Sequence, residues 1–342
     1  MNRRLFIQTG TMAGVGLAVQ GMAPGNVREP VRKGLRAGII GLDTSHAIAF
    51  AQSLNRQDAS PDFGGYKIVA AYPQGSKDIE SSVKRVPGYI EEVKKLGVEI
   101  VDSIGELLEK TDVIFLETND GRPHLEQALP VLKAGKTVFI DKPVAGSLAD
   151  AFRIFQAAKD CGVQVFSASS LRYMSNFDNI LRQQSVGKIL GAETFSPSSM
   201  EKTHPDLFWY GIHGVEALYT LMGTGCHTVT RMHTPGTDLV TGVWEGDRIG
   251  TFRGLREGKT GYGGYAFGEK GIQPLGDYNG YDPLLKEIIK FFQTGISPVS
   301  AEETLEIFTF MEAADESKRR AGASVFMEEI KWKALREIEK NS

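Results

Sequence analysis

From residue 35 to about residue 170, short apolar runs alternate with helix-like segments of about ten residues, and no other feature restricts the fold so strongly. Ala37–Gly41, Lys67–Tyr72, Glu99–Val101, Asp112–Glu117, Thr137–Asp141 and Val163–Ser167 read as strands. Several are apolar almost throughout, as suits strands covered on both faces. Helical patterns fall between them at His46–Leu54, Pro87–Leu96, His124–Ala134 and Leu148–Asp160, the last two stopped by Gly135 and Gly162. Strand and helix in repetition predict the α/β class: a Rossmann-type doubly wound parallel sheet with helices on both sides.

Past residue 170 the texture changes. Thr228–Arg256 and Gly261–Ile272 are rich in Thr, Val and Gly with interspersed aromatics, which predicts a mostly antiparallel open sheet. Tyr281–Thr294, Glu302–Gly322 and the charged tail Phe326–Lys340 read as helices. A length of 342 residues accommodates two such domains. The reading is a dinucleotide-type domain over 34–170 and an α+β domain over 171–342, preceded by a linker at 24–33.

Charge excludes some partners. With 39 Lys+Arg against 42 Asp+Glu, the net charge of −3 supplies no basic field for nucleic acid or an anionic membrane. Cys161 and Cys226 are too few for a disulfide scaffold or a Cys-rich zinc site, and stand either as two thiols or as one bridge. The six histidines show no metal-ligand spacing, so no metal is expected.

Residues 1–23 read as an address. Arg3-Arg4 followed by Leu5-Phe6-Ile7 and a mild Gly-rich apolar stretch resembles a twin-arginine export signal, which predicts a periplasmic or otherwise exported protein. That stretch is too short for a stable transmembrane span. The alternatives are a frayed basic terminus of a cytoplasmic protein and an uncleaved anchor.

The first strand-turn-helix is where a doubly wound fold binds phosphate on helix N–H groups. Of the G-x-G-x-x-G fingerprint, Gly41-Leu42-Asp43-Thr44-Ser45-His46 keeps only the first glycine. Asp43 opposes a pyrophosphate unless it turns away, whereas Thr44, Ser45 and His46 can donate to one; the same residues could simply cap a helix. The second strand ends without a carboxylate for the adenosine ribose, and Ser76 and Lys77 would tolerate a 2′-phosphate, so NADP is weakly favoured over NAD.

The rest of the domain carries a denser signature. Val113–Asn119, His124, Ala134-Gly135-Lys136 and Asp141-Lys142-Pro143 resemble the glucose–fructose oxidoreductase / inositol dehydrogenase (Gfo/Idh/MocA) family. The likeness continues through Ser170-Leu171-Arg172-Tyr173, Val186–Gly191 and Gly211–Glu216 to Ala313-Ala314, Ser317, Gly322 and Val325, over about residues 35–327. The resemblance implies that Lys142 stands at the nicotinamide and the substrate, with Asp141 beside it, and that Asn119 and His124 lie near the ribose–nicotinamide half of the crevice. It implies an acid/base role for His213, although Trp209 replaces the first Asp of the family motif and Glu216 its last. Glu216 or Asp206 would then orient His213. Arg172 and Tyr173 would contact the nicotinamide or a substrate hydroxyl, while Trp209 and Tyr210 either stack on a sugar or pack in the core. A homodimer or tetramer through the second-domain sheet is implied in the same way.

Three functions remain open on these residues. The first is an NAD(P)-dependent oxidoreductase acting on a secondary alcohol of a sugar, sugar derivative or cyclitol, with tightly held cofactor. The second is a glycosidase or lyase that uses transient nicotinamide oxidation with no net redox change. The third is a carbohydrate-binding relative without turnover.

Overall fold

The computed structural model describes residues 35–340; the twin-arginine-like segment and the linker lie outside them. The first half runs β1 (Arg36–Ile40), α1 (Ser45–Asn55), β2 (Lys67–Tyr72), α2 (Glu80–Lys95), β3 (Glu99–Ile100), α3 (Ile104–Lys110), β4 (Val113–Leu116), α4 (His124–Lys133), β5 (Val138–Ile140), α5 (Leu148–Cys161) and β6 (Val165–Phe166). Its six strands are parallel in the order β3-β2-β1-β4-β5-β6, so the chain reverses direction across the sheet between β1 and β4. Ligands of such sheets sit at that switch, outside the carboxyl ends of the strands.

The second half runs α6 (Phe177–Leu181), β7 (Ile189–Pro197), α7 (Ile212–Met222), β8 (Cys226–Thr234), β9 (Thr237–Trp244), β10 (Arg248–Leu255), β11 (Gly263–Gly268), β12 (Gly271–Pro274), α8 (Asp282–Thr294), α9 (Ala301–Arg319), β13 (Val325–Phe326) and α10 (Met327–Lys340). Its seven strands lie in the order β12-β11-β7-β10-β9-β8-β13, antiparallel except where β7 runs parallel to β10. The sheet is therefore mixed, and its interior strand β7 had no clear signature, because Gly191 and polar side chains break its apolar pattern. Helices α7 and α9 cover one face of the sheet.

Local rules explain most element ends. Thr44, Ser103, Ser147 and Ser300 cap α1, α3, α5 and α9 through side-chain oxygens that accept N–H bonds from the first turn. Gly162 and Gly295 stop α5 and α8 in the left-handed conformation. Two readings need correction. Helix α2 begins seven residues before Pro87, where no side chain caps it. Proline favours a helix's first position, but here it interrupts only the bond to the carbonyl of Val83, a residue on the exposed face. The short helix α3, capped by Ser103, was not anticipated between β3 and β4.

The boundary near residue 170 is not where the packing divides. Helix α8 returns to the first sheet and buries Leu284, Ile288, Phe291 and Phe292 among Phe50, Phe115, Phe139 and Phe166. Phe292 meets Phe115 edge-on at 5.1 Å and Phe291 meets Phe166 at 5.5 Å between ring centres. The two cysteines are both free, Cys161 exposed and Cys226 buried. Among the described residues no helix is long and apolar enough to cross a membrane.

Candidate active site

The loops after β1, β4 and β5 converge at the switch point, and the residues before α7 and around β11 and α8 close over them. Together they enclose a cavity of about 310 Å³ lined by Thr44, Ser45, His46, Asn119, Lys142 and His213, with Trp209, Tyr210, Tyr262, Tyr278 and Tyr281 around them.

The phosphate end is built on α1. Gly41 has φ +93°, and a Cβ there would lie 2.4 Å from the backbone nitrogen of Thr118, so only glycine lets the loops after β1 and β4 meet. Asp43 turns away from the cavity. Its two carboxylate oxygens accept the Asn119 N–H at 2.9 Å and the Ser82 hydroxyl at 2.7 Å, which ties the first loop to β4 and α2. Burial still raises its pKa, against the help of Ser82 and Asn119. Asp43 is thus a brace, neither a helix cap nor a ligand. Thr44 caps α1, and Ser45 lies beside it on the cavity wall. Arg85, anchored by a 3.3 Å bond to the Asp43 carbonyl, also reaches this wall, and no motif pointed to it. A helix N-terminus, two hydroxyls and a guanidinium, with the carboxylate directed elsewhere, fit a dinucleotide pyrophosphate.

The ribose end departs from expectation. Ser76 donates to Asp120, which Arg122 and His204 also hold, and Arg122 grips Asp78 through bonds of 2.9 and 2.7 Å. Against the cost of burial, His204, Arg122 and Ser76 push Asp120 far below the usual carboxylate range. Ser76 is thus spent on Asp120, Lys77 is exposed, and neither lines the cavity. His124 is fully buried between the carbonyls of Thr118 at 2.7 Å and Val144 at 3.3 Å, and burial lowers its pKa. It fastens two loops together and does not face the cavity.

At the reacting end, Lys142 follows β5 and is almost fully buried; its Nζ lies 3.8 Å from Asp141 Oδ2 and makes no hydrogen bond to another described residue. His213, near the start of α7, has Nδ1 2.7 Å from Ser169 Oγ. Ser169, the hydrogen-bond partner of the His213 ring, was not anticipated. Burial, then Lys142 and His46, lower the His213 pKa well below 6.5, so the ring is neutral at pH 7. In the tautomer whose Nδ1–H donates to Ser169, the ring keeps a lone pair on Nε2.

Neither proposed orienting acid touches His213. Glu216 pairs with Arg172, which also meets Glu303 at 2.6 Å, and Asp206 serves Arg231 and Lys318. Arg172 and Tyr173 lie outside the cavity, in a buried ion-pair cluster and the aromatic core. Trp209 and Tyr210 do line it: Tyr210 meets His213 edge-on at 5.1 Å, and its hydroxyl is 3.4 Å from that of Tyr262. Tyr262, Tyr278 and Tyr281 complete an aromatic rim absent from the sequence reading, and Tyr281 joins Ser45 at 3.1 Å. Below Lys142, His46 Nδ1 is 2.9 Å from Asp141 Oδ1, and Glu117 lies beside them. Burial alone would raise Asp141, yet His46 and Lys142 hold it down to about 2. Sequence spacing suggested no such gathering of His and carboxylates, because its members come from three separate segments.

Residues 35–169 match the model of the Gfo/Idh/MocA family, described as an oxidoreductase family with an NAD-binding Rossmann fold. An uncharacterized oxidoreductase of Streptococcus pneumoniae serotype 4 is 23% identical over 180 residues, 47% of this chain and 48% of the relative; the match thus spans about half of that protein's length. The fold superposes on a probable dehydrogenase from Thermotoga maritima (TM-score 0.69, 21% identity, 86% of this chain and 100% of that one). It also superposes on scyllo-inositol dehydrogenase from Lactobacillus casei, solved with NAD(H) and scyllo-inositol (TM-score 0.68, 16% identity, 86% and 99%).

Proposed function

We propose, from the match of residues 35–169 to the model of the Gfo/Idh/MocA oxidoreductase family, that this chain is an NAD(P)-dependent oxidoreductase acting on a secondary alcohol of a sugar, sugar derivative or cyclitol. The observation that carries the reading is that Lys142 and His213 share one cavity with the N-terminus of α1. A bound nicotinamide would supply the hydride acceptor. Thr44, Ser45 and Arg85 bind the pyrophosphate, and Asn119 lines the adjoining wall. The Lys142 ammonium, unspent on other hydrogen bonds, donates to the substrate oxygen and stabilises the alkoxide character that develops there. His213 Nε2 accepts the hydroxyl proton while Ser169 fixes the ring. Trp209 and the four tyrosines give the C–H faces of a polyhydroxylated ring a surface to stack on and hydroxyls to bond.

Mass spectrometry of the small molecules released on denaturing the purified protein, followed by coenzyme titration and a sugar and cyclitol screen, tests the reading. Bound or titratable NAD or NADP with alcohol-dependent change in nicotinamide absorbance supports it. Release of an aglycone with no steady-state absorbance change would replace it by the oxidation–elimination reading, and failure to bind either coenzyme would leave a carbohydrate-binding protein.

Two further readings go with it. Arg3-Arg4 and the apolar stretch after them support export by the twin-arginine route, which periplasmic fractionation with an Arg3→Lys, Arg4→Lys variant tests. The uncovered face of the second sheet presents Met232, Ile249 and Tyr265, and this supports self-association there. Light scattering with Ile249→Glu checks it.

A further inference from the structure

Beneath Lys142 the floor of the cavity holds more negative charge than the hydride-transfer chemistry uses. Glu117 follows β4, Asp141 follows the neighbouring strand β5, and His46 stands in the first turn of α1. One ring nitrogen of His46 and one oxygen from each carboxylate all lie within 4.8 Å of one another. Both carboxylates are 0% exposed. Neither oxygen of Glu117 has a hydrogen-bond partner, and neither has Oδ2 of Asp141, so three of the four carboxylate oxygens are bare. Buried polar groups almost always find partners, and buried charges are paired or coordinate metals. Lys142 does not meet the need, because its Nζ is 3.8 Å from Asp141 Oδ2 and bonds to neither acid.

We propose that His46, Glu117 and Asp141 form a binding site for one divalent transition-metal cation, with Zn²⁺ or Mn²⁺ the best match. The donor set decides the class: one imidazole nitrogen with two carboxylates suits these ions, whereas Ca²⁺ and Mg²⁺ prefer oxygen alone. His46 and Lys142 face the cavity, so a ligand hydroxyl entering there can complete the coordination shell. As a Lewis acid the ion would act on the same oxygen as Lys142; that role rests on the oxidoreductase reading, but the binding site does not.

The test therefore uses metal alone, without coenzyme or substrate. Full-length protein stripped with a chelator is titrated calorimetrically with Mn²⁺ and with Zn²⁺, and its melting temperature is followed in parallel. One ion per chain and a rise in Tm are expected. Glu117→Gln and His46→Asn should each weaken binding by about tenfold or more, as losses around metal sites commonly do, and should abolish the Tm rise. Two variants are used so that one that fails to fold does not leave the question open. Absence of binding to the wild type, or equal affinity in a folded variant, overturns the site. Loss of coenzyme binding with metal binding intact would fault the oxidoreductase reading alone.

Discussion

Two of the buried charge clusters among the described residues are built on opposite terms. In the second domain Arg231 is fully buried and reaches Asp238 at 2.9 Å, Asp206 at 2.9 Å and Asp315, while Arg256 takes the other oxygen of Asp238, and His233 and Lys318 share the oxygens that Arg231 holds on Asp238 and Asp206. Every acid there has a cationic partner. On the cavity floor, Glu117 and Asp141 are just as deeply buried, yet most of their oxygens are bare. The same chain can satisfy buried carboxylates when they serve the scaffold. Those it leaves unsatisfied at the ends of β4 and β5 are a local concession, of the sort that functional sites hold against the stability of the rest.

Breaking the satisfied cluster should have the largest effect. Arg231→Ala leaves Asp315 without an ion-pair partner and weakens the pairing of Asp238 and Asp206, and is expected to cost about 3–5 kcal/mol in urea unfolding, because the partners of a broken buried pair stay buried. Activity per folded molecule should persist. Burial already pushes Asp315 up to about 6 against the pull of Arg231. Lys142→Ala tests the other side: turnover should fall about a hundredfold or more with unfolding unchanged, the scale of a positioned charge-stabilising group. Near-wild-type turnover would remove Lys142 from the mechanism.

Titration sharpens the contrast. His213 is held neutral below its ordinary pKa of 6.5 by burial and by Lys142 and His46. The unfolded chain therefore takes up the proton first on acidification, so His213 contributes stability that is present above pH 6.5 and lost as pH falls toward the depressed folded value. The slope from one such group approaches about 1.4 kcal/mol per pH unit. Comparing wild type with His213→Gln by urea unfolding at several pH values should show that slope reduced in the variant. The smallest effect is expected at Glu117, where burial and then Asp141 raise the pKa well above the ordinary value. In metal-free protein Glu117→Gln should raise stability by about 1 kcal/mol, since the raised pKa obliges the folded chain to take up a proton there at neutral pH, a cost that Gln does not carry. Destabilisation instead would mean that the carboxyl is already satisfied.

The alternation of strands and helices made the first domain legible, and Lys142 and His213 were legible through ordered local motifs. What sequence reading missed depends on distance along the chain. His46, Glu117 and Asp141 meet only because β1, β4 and β5 are neighbours in the sheet. Trp209 stood off the family pattern in sequence, but that Ser169 partners the His213 ring follows from the turn after β6, not from a motif. Arg172 and Tyr173 were placed correctly near the crevice in sequence and wrongly in space: Arg172 is drawn inward by Glu216 and Glu303, acids from two other helices. Helix α2 was read seven residues short because Pro87 imitates a first-turn proline.

The return of α8 to the first sheet also bears on how such a protein can be cut and recombined. Helix α8 carries the ring of Tyr281 at its start to within 4.5 Å of His46, and its apolar face sits among the phenylalanines of the first sheet. A fragment ending near residue 170 would lose that face and expose Phe115, Phe139 and Phe166 to water. The nucleotide half is consequently not a cassette that can be lifted out and spliced to a foreign partner. Any chimaera built on this scaffold has to carry residues 281–294 along with the half they cover.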